Sequence, residues 1–355
     1  MQSTVTGISI WSRWQRERGL FFNSFFLEDP AGNVAIDPLA ADDDDLAEID
    51  RRGGLAWIVV TNRDHLRDAP ALASRFGAKI ATSAADAALI AEVPVARVLA
   101  DGDEIAGGRV IALDGLKTPG EFALSFRERS TVLVGDALWG DPAGSVRLMP
   151  DDRLADPARA VRSLRRLAAC RAQHLLVGDG ASLFGDAWKI VWRALEARPE
   201  TYVNAINTGE LPLVTTPVST ARPHYGELTW CDAGALIGAE RLGYAYARLA
   251  PGKRFCPMHW HTREEELFVV LAGTATLHTP RGEFLLRAGD LIAFPTGANG
   301  AHQIVATGES AFEMLAIANT DPGDVCFYPE SQKLLVEATG TLVRDHPGLD
   351  YYDAE

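Results

Sequence analysis

Two histidines two residues apart, His259 and His261, are followed closely by three glutamates, Glu264, Glu265 and Glu266. On a β-strand, residues i and i+2 point to the same face, so two such imidazoles can reach one ion. A third histidine, His302, follows a turn containing Pro295 and Gly297 in the segment GDLIAFPTGANGAHQI. Three neutral imidazoles and a carboxylate suit one divalent first-row ion, zinc, iron, manganese or nickel, better than oxygen-loving calcium. Such an ion keeps positions open for water, substrate or dioxygen, which admits Lewis-acid, hydrolytic or oxidative chemistry. Strict strand parity with the two histidines favours Glu265 as the carboxylate, whereas a bulge favours Glu266. A second set of chemical groups is more scattered: acids and a histidine in the turns VVTNRDHLRD, LKTPGE, LVGDAL and LVGDG, at strand ends where layered folds gather ligands.

These groups need a scaffold. Across residues 1–200, short apolar runs alternate with helical patterns, the order of strands and helices packed in layers. Strands are expected over 21–27, 33–36, 56–60, 110–113, 131–134 and 174–177, each followed by a turn rich in Gly, Asp or Pro. The clearest helix opens with Asp156 as N-cap and Pro157 in first position; Ala158, Val161, Leu164, Leu167 and Ala168 form one face and arginines the other. A second helix over 186–197 buries Trp188, Val191, Trp192 and Leu195, and the acidic run 42–45 reads as a solvated turn. From 200 to 223 the periodicity dissolves into Thr, Pro and Asn, which marks a domain boundary. Beyond it, runs at 267–271, 274–278, 283–287, 291–294 and 311–318 alternate with Gly and Pro turns, the spacing of a small all-β barrel or sandwich. The expected organisation is a first domain over 1–205, a linker over 206–225, a barrel over 226–340 and a tail over 341–355.

In its second half the chain resembles the cupin superfamily, a small β-barrel (double-stranded β-helix or jelly roll) whose metal site comes from two motifs. The first motif, H-x-H, then E, then G, is met by His259, His261, Glu266 and Gly273, and the second by Gly289, Pro295, Gly297 and His302. The second-motif histidine is displaced by a short insertion, and Ala306 stands where an asparagine is often found. The resemblance implies Glu266 as the carboxylate ligand, and a homodimer, since cupins often pair through their sheets. Trp260, Phe268, Phe294 and Tyr246 are inward-facing candidates for an apolar pocket or for plain core.

The first half resembles the metallo-β-lactamase-like hydrolase fold, a four-layer αββα core with a two-metal site. Of its H-x-H-x-D-H motif, Asp64 and His65 match while the two earlier histidines fall on Val60 and Asn62. The H-T-P-G-H histidine falls on Lys117, the bridging aspartate is Asp136, and the last histidine falls on Asp179. Val60 cannot coordinate a metal, so one of the two metal positions loses its ligands. Asp64, His65, Asp136 and Asp179 leave open a single site for a hard ion. Alternatively the Lys117 ammonium compensates the carboxylates in place of a cation. A degenerate domain without a two-metal centre is the favoured reading.

Of 355 residues, 34 are Lys or Arg and 48 Asp or Glu, a net charge of −14 that opposes nucleic acid and anionic membranes as partners. With 47% hydrophobic residues the chain can bury real cores. Cys170, Cys231, Cys256 and Cys326 lie without metal-site spacing and read as buried small hydrophobes, with Cys256 close enough to His259 for a role beside the metal. His174 reads as a packing residue, while His224, His278 and His346 have no evident partner. No stretch has signal-peptide or membrane-span character, and a soluble protein of a reducing cytoplasm is expected. Three functions follow: a metal-dependent cupin enzyme (dioxygenase, isomerase or hydrolase) on a small organic molecule; a non-catalytic small-ligand sensor; or residual hydrolysis in the first domain.

Overall fold

A computed structural model describes residues 1–90, 93–198, 201–218 and 220–345. His346 and residues 346–355 of the expected tail lie outside the described residues. Two compact units divide the chain, Met1–Val203 and Asn204–Glu355.

In the first unit, thirteen strands among the described residues join into one hydrogen-bonded sheet. Its path runs Val95–Leu99, Lys79–Ser83, Trp57–Val59, Val34–Ile36, Leu20–Leu27, His174–Gly180, Thr131–Gly140, Phe122–Phe126, Gly108–Ala112 and Glu104–Ile105. Successive side chains on a strand face opposite ways, and the cores follow that rule. Phe25 and Leu133 join one buried cluster with Val59, Leu124 and Leu176. Their neighbours Phe26 and Val134 each join a different one. Phe26 packs with Ile49 and Leu72 of the helices Asp43–Arg51 and Ala69–Phe76. Val134 packs with Leu164 and Val191 of the helices Pro157–Ala169 and Ala187–Glu196.

The strand Thr131–Gly140 is buried along its whole length. It pairs in parallel with His174–Gly180 in register as far as Val134, shifts, and resumes at Trp139, and Asp136 lies in the irregular stretch between the two. Gly135 lies at this shift because a Cβ there would come within 2.4 Å of Thr61 Oγ1 and 3.0 Å of Asn62 Nδ2. The loop bearing Asp64 and His65 can therefore approach the strand only across a glycine.

The helix Pro157–Ala169 forms as its sequence predicts, with the Asp156 carboxylate accepting from Arg159 N at 2.9 Å. Its buried stripe is broader than expected: Ala160 takes the place given to Ala158, and Arg165 is buried beside Leu164 instead of lining a solvent face. Trp188 is only half-buried, and Asp186 precedes its helix without a side-chain cap. The acidic run is corrected more fully. Asp42 caps the helix Asp43–Arg51, and Asp45 is buried against Arg13 at 2.7 Å, so these are structural anchors and not a solvated turn. Among the cysteines, Cys231 and Cys326 are buried and Cys256 half-buried, but Cys170 is exposed, contrary to its reading as a buried hydrophobe.

In the second unit every strand pairing among the described residues is antiparallel. One sheet orders Val214–Thr215, Leu228–Asp232, Leu242–Leu249, Phe312–Asn319, Glu266–Ala272 and Leu291–Phe294. A second pairs Gly282–Arg287, Thr274–Thr279 and Gln303–Val305, and a third orders Trp260–His261, Val325–Tyr328, Lys333–Val336 and Thr341–Arg344. Phe268, Phe294, Ile304, Phe312 and Met314 fill the interior. Phe268 and Phe294 thus belong to the core. Tyr246 is buried with its hydroxyl donating to Glu313, and Trp260 stacks on Phe327 at 4.3 Å. Among the described residues no helix is long and apolar enough to cross a membrane.

Leu164→Ala, at a fully buried position, is expected to lower the unfolding free energy by ~2–5 kcal/mol, and the cap variant Asp156→Ala by only about 1 kcal/mol. Urea denaturation of the two variants checks the order, and equal losses would show that the cap and not the core holds this helix.

Candidate metal centre

His259, His261, Glu266 and His302 come from three short segments of the barrel and meet inside it. Glu266 Oε2 lies 3.4 Å from His302 Nε2, 3.8 Å from His261 Nε2 and 3.9 Å from His259 Nε2. A bridge between His259 and His302 clamps their backbones, with His259 N donating to His302 O and His302 N to His259 O. Each imidazole is fixed by its far nitrogen. His259 Nδ1 contacts Pro257 O at 2.9 Å, His261 Nδ1 contacts Asp324 Oδ2 at 2.6 Å, and His302 Nδ1 contacts Gly300 O at 2.9 Å. These acceptors take the proton of each Nδ1, so three Nε2 atoms face the Glu266 carboxylate.

The ring of His302 is further held by Phe294, stacked at 3.6 Å, and by Phe268, edge-on at 5.6 Å. The short insertion before His302 folds as the turn Ala298–Gly300, and its last carbonyl is the acceptor for His302 Nδ1. Glu265 is exposed and lies outside the strand, which begins at Glu266; Glu266 is the one turned to the imidazoles.

Burial sets the protonation of the cluster. It pulls His259 down to about 4 and His302, helped by the neighbouring His259, to about 3, so both are neutral with free lone pairs. Burial lifts Glu266 to about 7, against the opposing influence of His261. For His261 burial acts downward but is outweighed by hydrogen bonding to Cys326 and Asp324, which raises it to about 10. Glu266 Oε2 and His302 Nε2 are buried with no hydrogen-bond partner. Two acceptors aimed at each other without a donor between them are unfavourable until a cation or a proton joins them, and the donor set fits a divalent transition-metal ion.

Sequence reasoning missed three residues here. Asp324 is fully buried and accepts from Thr262 Oγ1 at 2.9 Å and Arg263 N at 2.7 Å besides holding His261. Cys326, not Cys256, groups with His259 and His261, and Glu264 groups with His261 and Asp324. Burial pushes the Cys256 thiol up to about 12, so it stands protonated. The only available signal for Asp324 was an acid opening an apolar strand, far along the chain from both motifs. His278 has a partner after all, Glu283 Oε1 at 3.2 Å.

In the first unit, Asp64, His65, Lys117, Asp136 and Asp179 line one cavity of about 320 Å³. Lys117 Nζ pairs with Asp64 at the rim. His65 Nδ1 contacts Asp37 Oδ2 at 2.8 Å, and Asp37 is locked by Thr61 N and Oγ1 at 2.8 and 2.6 Å. Asp136 accepts from Asn62 Nδ2 at 3.0 Å. Burial and the adjacent Asp136 push the Glu121 carboxyl well up, leaving a neutral acid beside that aspartate. Arg67 was not foreseen. Its guanidinium donates to Asn23 O, Asp37 O, His65 Nε2 and Asp179 Oδ1 at 2.8, 3.1, 3.1 and 3.4 Å. Arginine can only donate, so His65 Nε2 accepts and is no longer free for a metal. The residues present do not fit a two-metal centre. The single-ion set of Asp64, His65, Asp136 and Asp179 does not gather either, since every group of three or more converging ligand atoms among the described residues lies in the barrel.

Residues 4–196 match the sequence model described as the metallo-beta-lactamase superfamily, and residues 245–318 match that of the cupin domain. Among solved structures, the chain is similar to a putative sugar phosphate isomerase from Acidithiobacillus ferrooxidans, at 25% identity over 42% of this chain and 97% of that one, with a TM-score of 0.38. It is similar to the metallo-β-lactamase FIM-1 from Pseudomonas aeruginosa in its mono-zinc form, at 15% identity over 55% and 94%, TM-score 0.45. A metallo-β-lactamase from Erythrobacter litoralis is 16% identical over 56% and 92%, TM-score 0.44. No curated protein matches the chain.

Because His261 titrates at about 10 and Glu266 at about 7, a metal ion must displace one proton above neutrality and two below it. Zinc affinity measured by competition is therefore expected to rise with pH, with a logarithmic slope of about two below pH 7 and about one from there to pH 9. A pH-independent affinity would contradict this account of the cluster.

Proposed function

The chain belongs to the metallo-β-lactamase superfamily and carries a cupin domain, and from that premise we propose that the barrel, not the superfamily's usual mouth, is the working centre. In this reading His259, His261, Glu266 and His302 hold one divalent transition-metal ion, zinc, iron, manganese or nickel, and the protein is a metal-dependent enzyme acting on a small organic molecule. The observation that carries it is the pair of buried, partnerless acceptors, Glu266 Oε2 and His302 Nε2, aimed at each other 3.4 Å apart.

When bound, such an ion supplies Lewis-acid or redox chemistry at positions its four protein ligands leave free. The chain's own residues do the rest. Asp324 fixes the tautomer and orientation of His261 through Nδ1. Phe294 and Phe268 fix His302 and keep the cluster apolar on that side, which excludes water and strengthens every charge interaction within it. Glu264 Oε2, 3.9 Å from His261 Nδ1 and raised by burial, is a place to hold a proton beside the site.

The same reading extends to the rest of the molecule. The three separate cores of the first unit support a four-layer αββα arrangement, and four free cysteines suit a reducing cytoplasm. The exposed Leu267, Leu271 and Leu291 on neighbouring strands support a homodimer through that sheet face.

Protein purified without chelator is expected to carry about one equivalent of a transition metal, lost in His302→Ala together with turnover and retained in Asp136→Ala. Elemental mass spectrometry decides it: metal lost in Asp136→Ala instead would move the centre to the first unit. Metal retained without turnover on any substrate screened would favour a ligand-binding role. For the dimer, Leu291→Glu is expected to raise the monomer fraction in sedimentation velocity.

A further inference from the structure

The cavity of the first unit has a charge pattern unlike that of a metal site. Its wall carries four cations, Arg18, Arg67, Lys117 and Arg153, against three carboxylates, Asp64, Asp136 and Asp179. His65 is held between Asp37 on Nδ1 and Arg67 on Nε2. Two of the cations are already engaged, Arg67 with Asp179 and Lys117 with Asp64. Arg18 and Arg153 enter none of the ion pairs found among the described residues. Both are exposed, yet both line the same cavity. Arg18 lies 5.8 Å from the centre of the Trp139 ring, which is itself buried.

The apolar part of the wall, Phe22, Leu39, Trp139 and Met149, gives the cavity a second chemical face. A space of about 320 Å³ lies in the range of small-molecule pockets, too large for a lone ion and too small for a macromolecule. Counted with Asp37, which contacts His65 from behind, carboxylates and cations balance in number, yet the guanidiniums of Arg18 and Arg153 enter no ion pair among the described residues and remain open to a guest. Guanidinium is the group best suited to fork onto a planar or tetrahedral oxyanion, and the apolar side chains, Trp139 among them with Arg147 over its ring at 4.4 Å, give an organic body a non-polar wall.

We propose that this cavity binds a small organic oxyanion without any metal, its acidic head held by Arg18 and Arg153 and its apolar body against Trp139 and Met149. Carboxylates and phosphate monoesters share the required chemistry. Arg67 stands in the cavity wall as a fixed positive charge. This site is separate from the barrel centre and does not depend on it.

The test is calorimetric titration of the full-length protein at fixed ionic strength with three probes: inorganic phosphate, phenyl phosphate and benzoate. Saturable binding of phenyl phosphate or benzoate is expected, tighter than that of inorganic phosphate because only the organic probes use the apolar wall. Which of the two binds identifies the acidic head. The double variant Arg18→Gln/Arg153→Gln, altered only at exposed positions, is expected to bind at least about tenfold more weakly. His302→Ala should leave the affinity unchanged. The proposal is overturned by the absence of saturable binding for all three probes, by undiminished affinity in the double variant, or by loss of binding in His302→Ala.

Discussion

Polar atoms turned toward one another inside an apolar barrel are left short of partners. His259, His261 and His302 each commit their Nδ1 outward, to Pro257, Asp324 and Gly300, and thereby aim Nε2 at Glu266, as a free lone pair in His259 and His302 and as an N–H in His261 until an ion displaces that proton. A proton shared between Glu266 and His302 relieves one such contact but leaves the Nε2 atom of His259, 3.9 Å from the same oxygen, without a donor. A single divalent ion relieves them all at once. The surrounding packing makes sense in that light: Phe294 stacked on His302 and the backbone bridge between His259 and His302 prevent the rings from turning away to water. The geometry is held by the fold whatever occupies its centre.

The first unit faces the same physical problem with the opposite solution. Asp37, Asp136, Asp179 and Glu121 are all buried in this unit, and burial, with Asp136 nearby, raises the carboxyls of Glu121 and Asp179. Here the compensation is covalently attached. Lys117 answers Asp64, Arg67 answers Asp179, Asn62 donates to Asp136, and Glu121 stays neutral. A fold does not carry its chemistry with it, because chemistry resides in a handful of side chains that a scaffold will accept in more than one version.

How much of this was legible in the chain depends on range. The strand at 131–134, the cap at Asp156 and the pair His259 and His261 are local patterns, readable from spacing because period-two and period-3.6 rules act over a few residues. The choice between Glu265 and Glu266 was not settled by parity, since the rule presumes one continuous strand. His261 ends one strand and Glu266 begins another, with a turn between them. Asp324 was out of reach because it sits 63 residues beyond His261 in sequence and meets it only through pairing of the strands Trp260–His261 and Val325–Tyr328. Arg67 stood two residues from His65 in plain view. What hid it is the habit of reading surface arginine as solvated; nothing local says that this one turns inward.

That inward turn is itself costly. Arg67 adopts a positive φ of 42°, a region that costs a non-glycine residue on the order of 1 kcal/mol, and its guanidinium is nearly buried, which adds a desolvation cost of several kcal/mol. Four acceptors offset these terms, two of them backbone carbonyls that no substitution of a side chain can remove. Lysine at this position, a point charge with three donors and no planar fork, could not span Asn23 O, Asp37 O, His65 Nε2 and Asp179 Oδ1 together. The arrangement is therefore specific to arginine, and it gives the cavity a permanent, oriented positive charge. A cavity built around such a charge has its electrostatics fixed by folding alone, independent of metal supply, which is a different constraint from the one that governs the barrel.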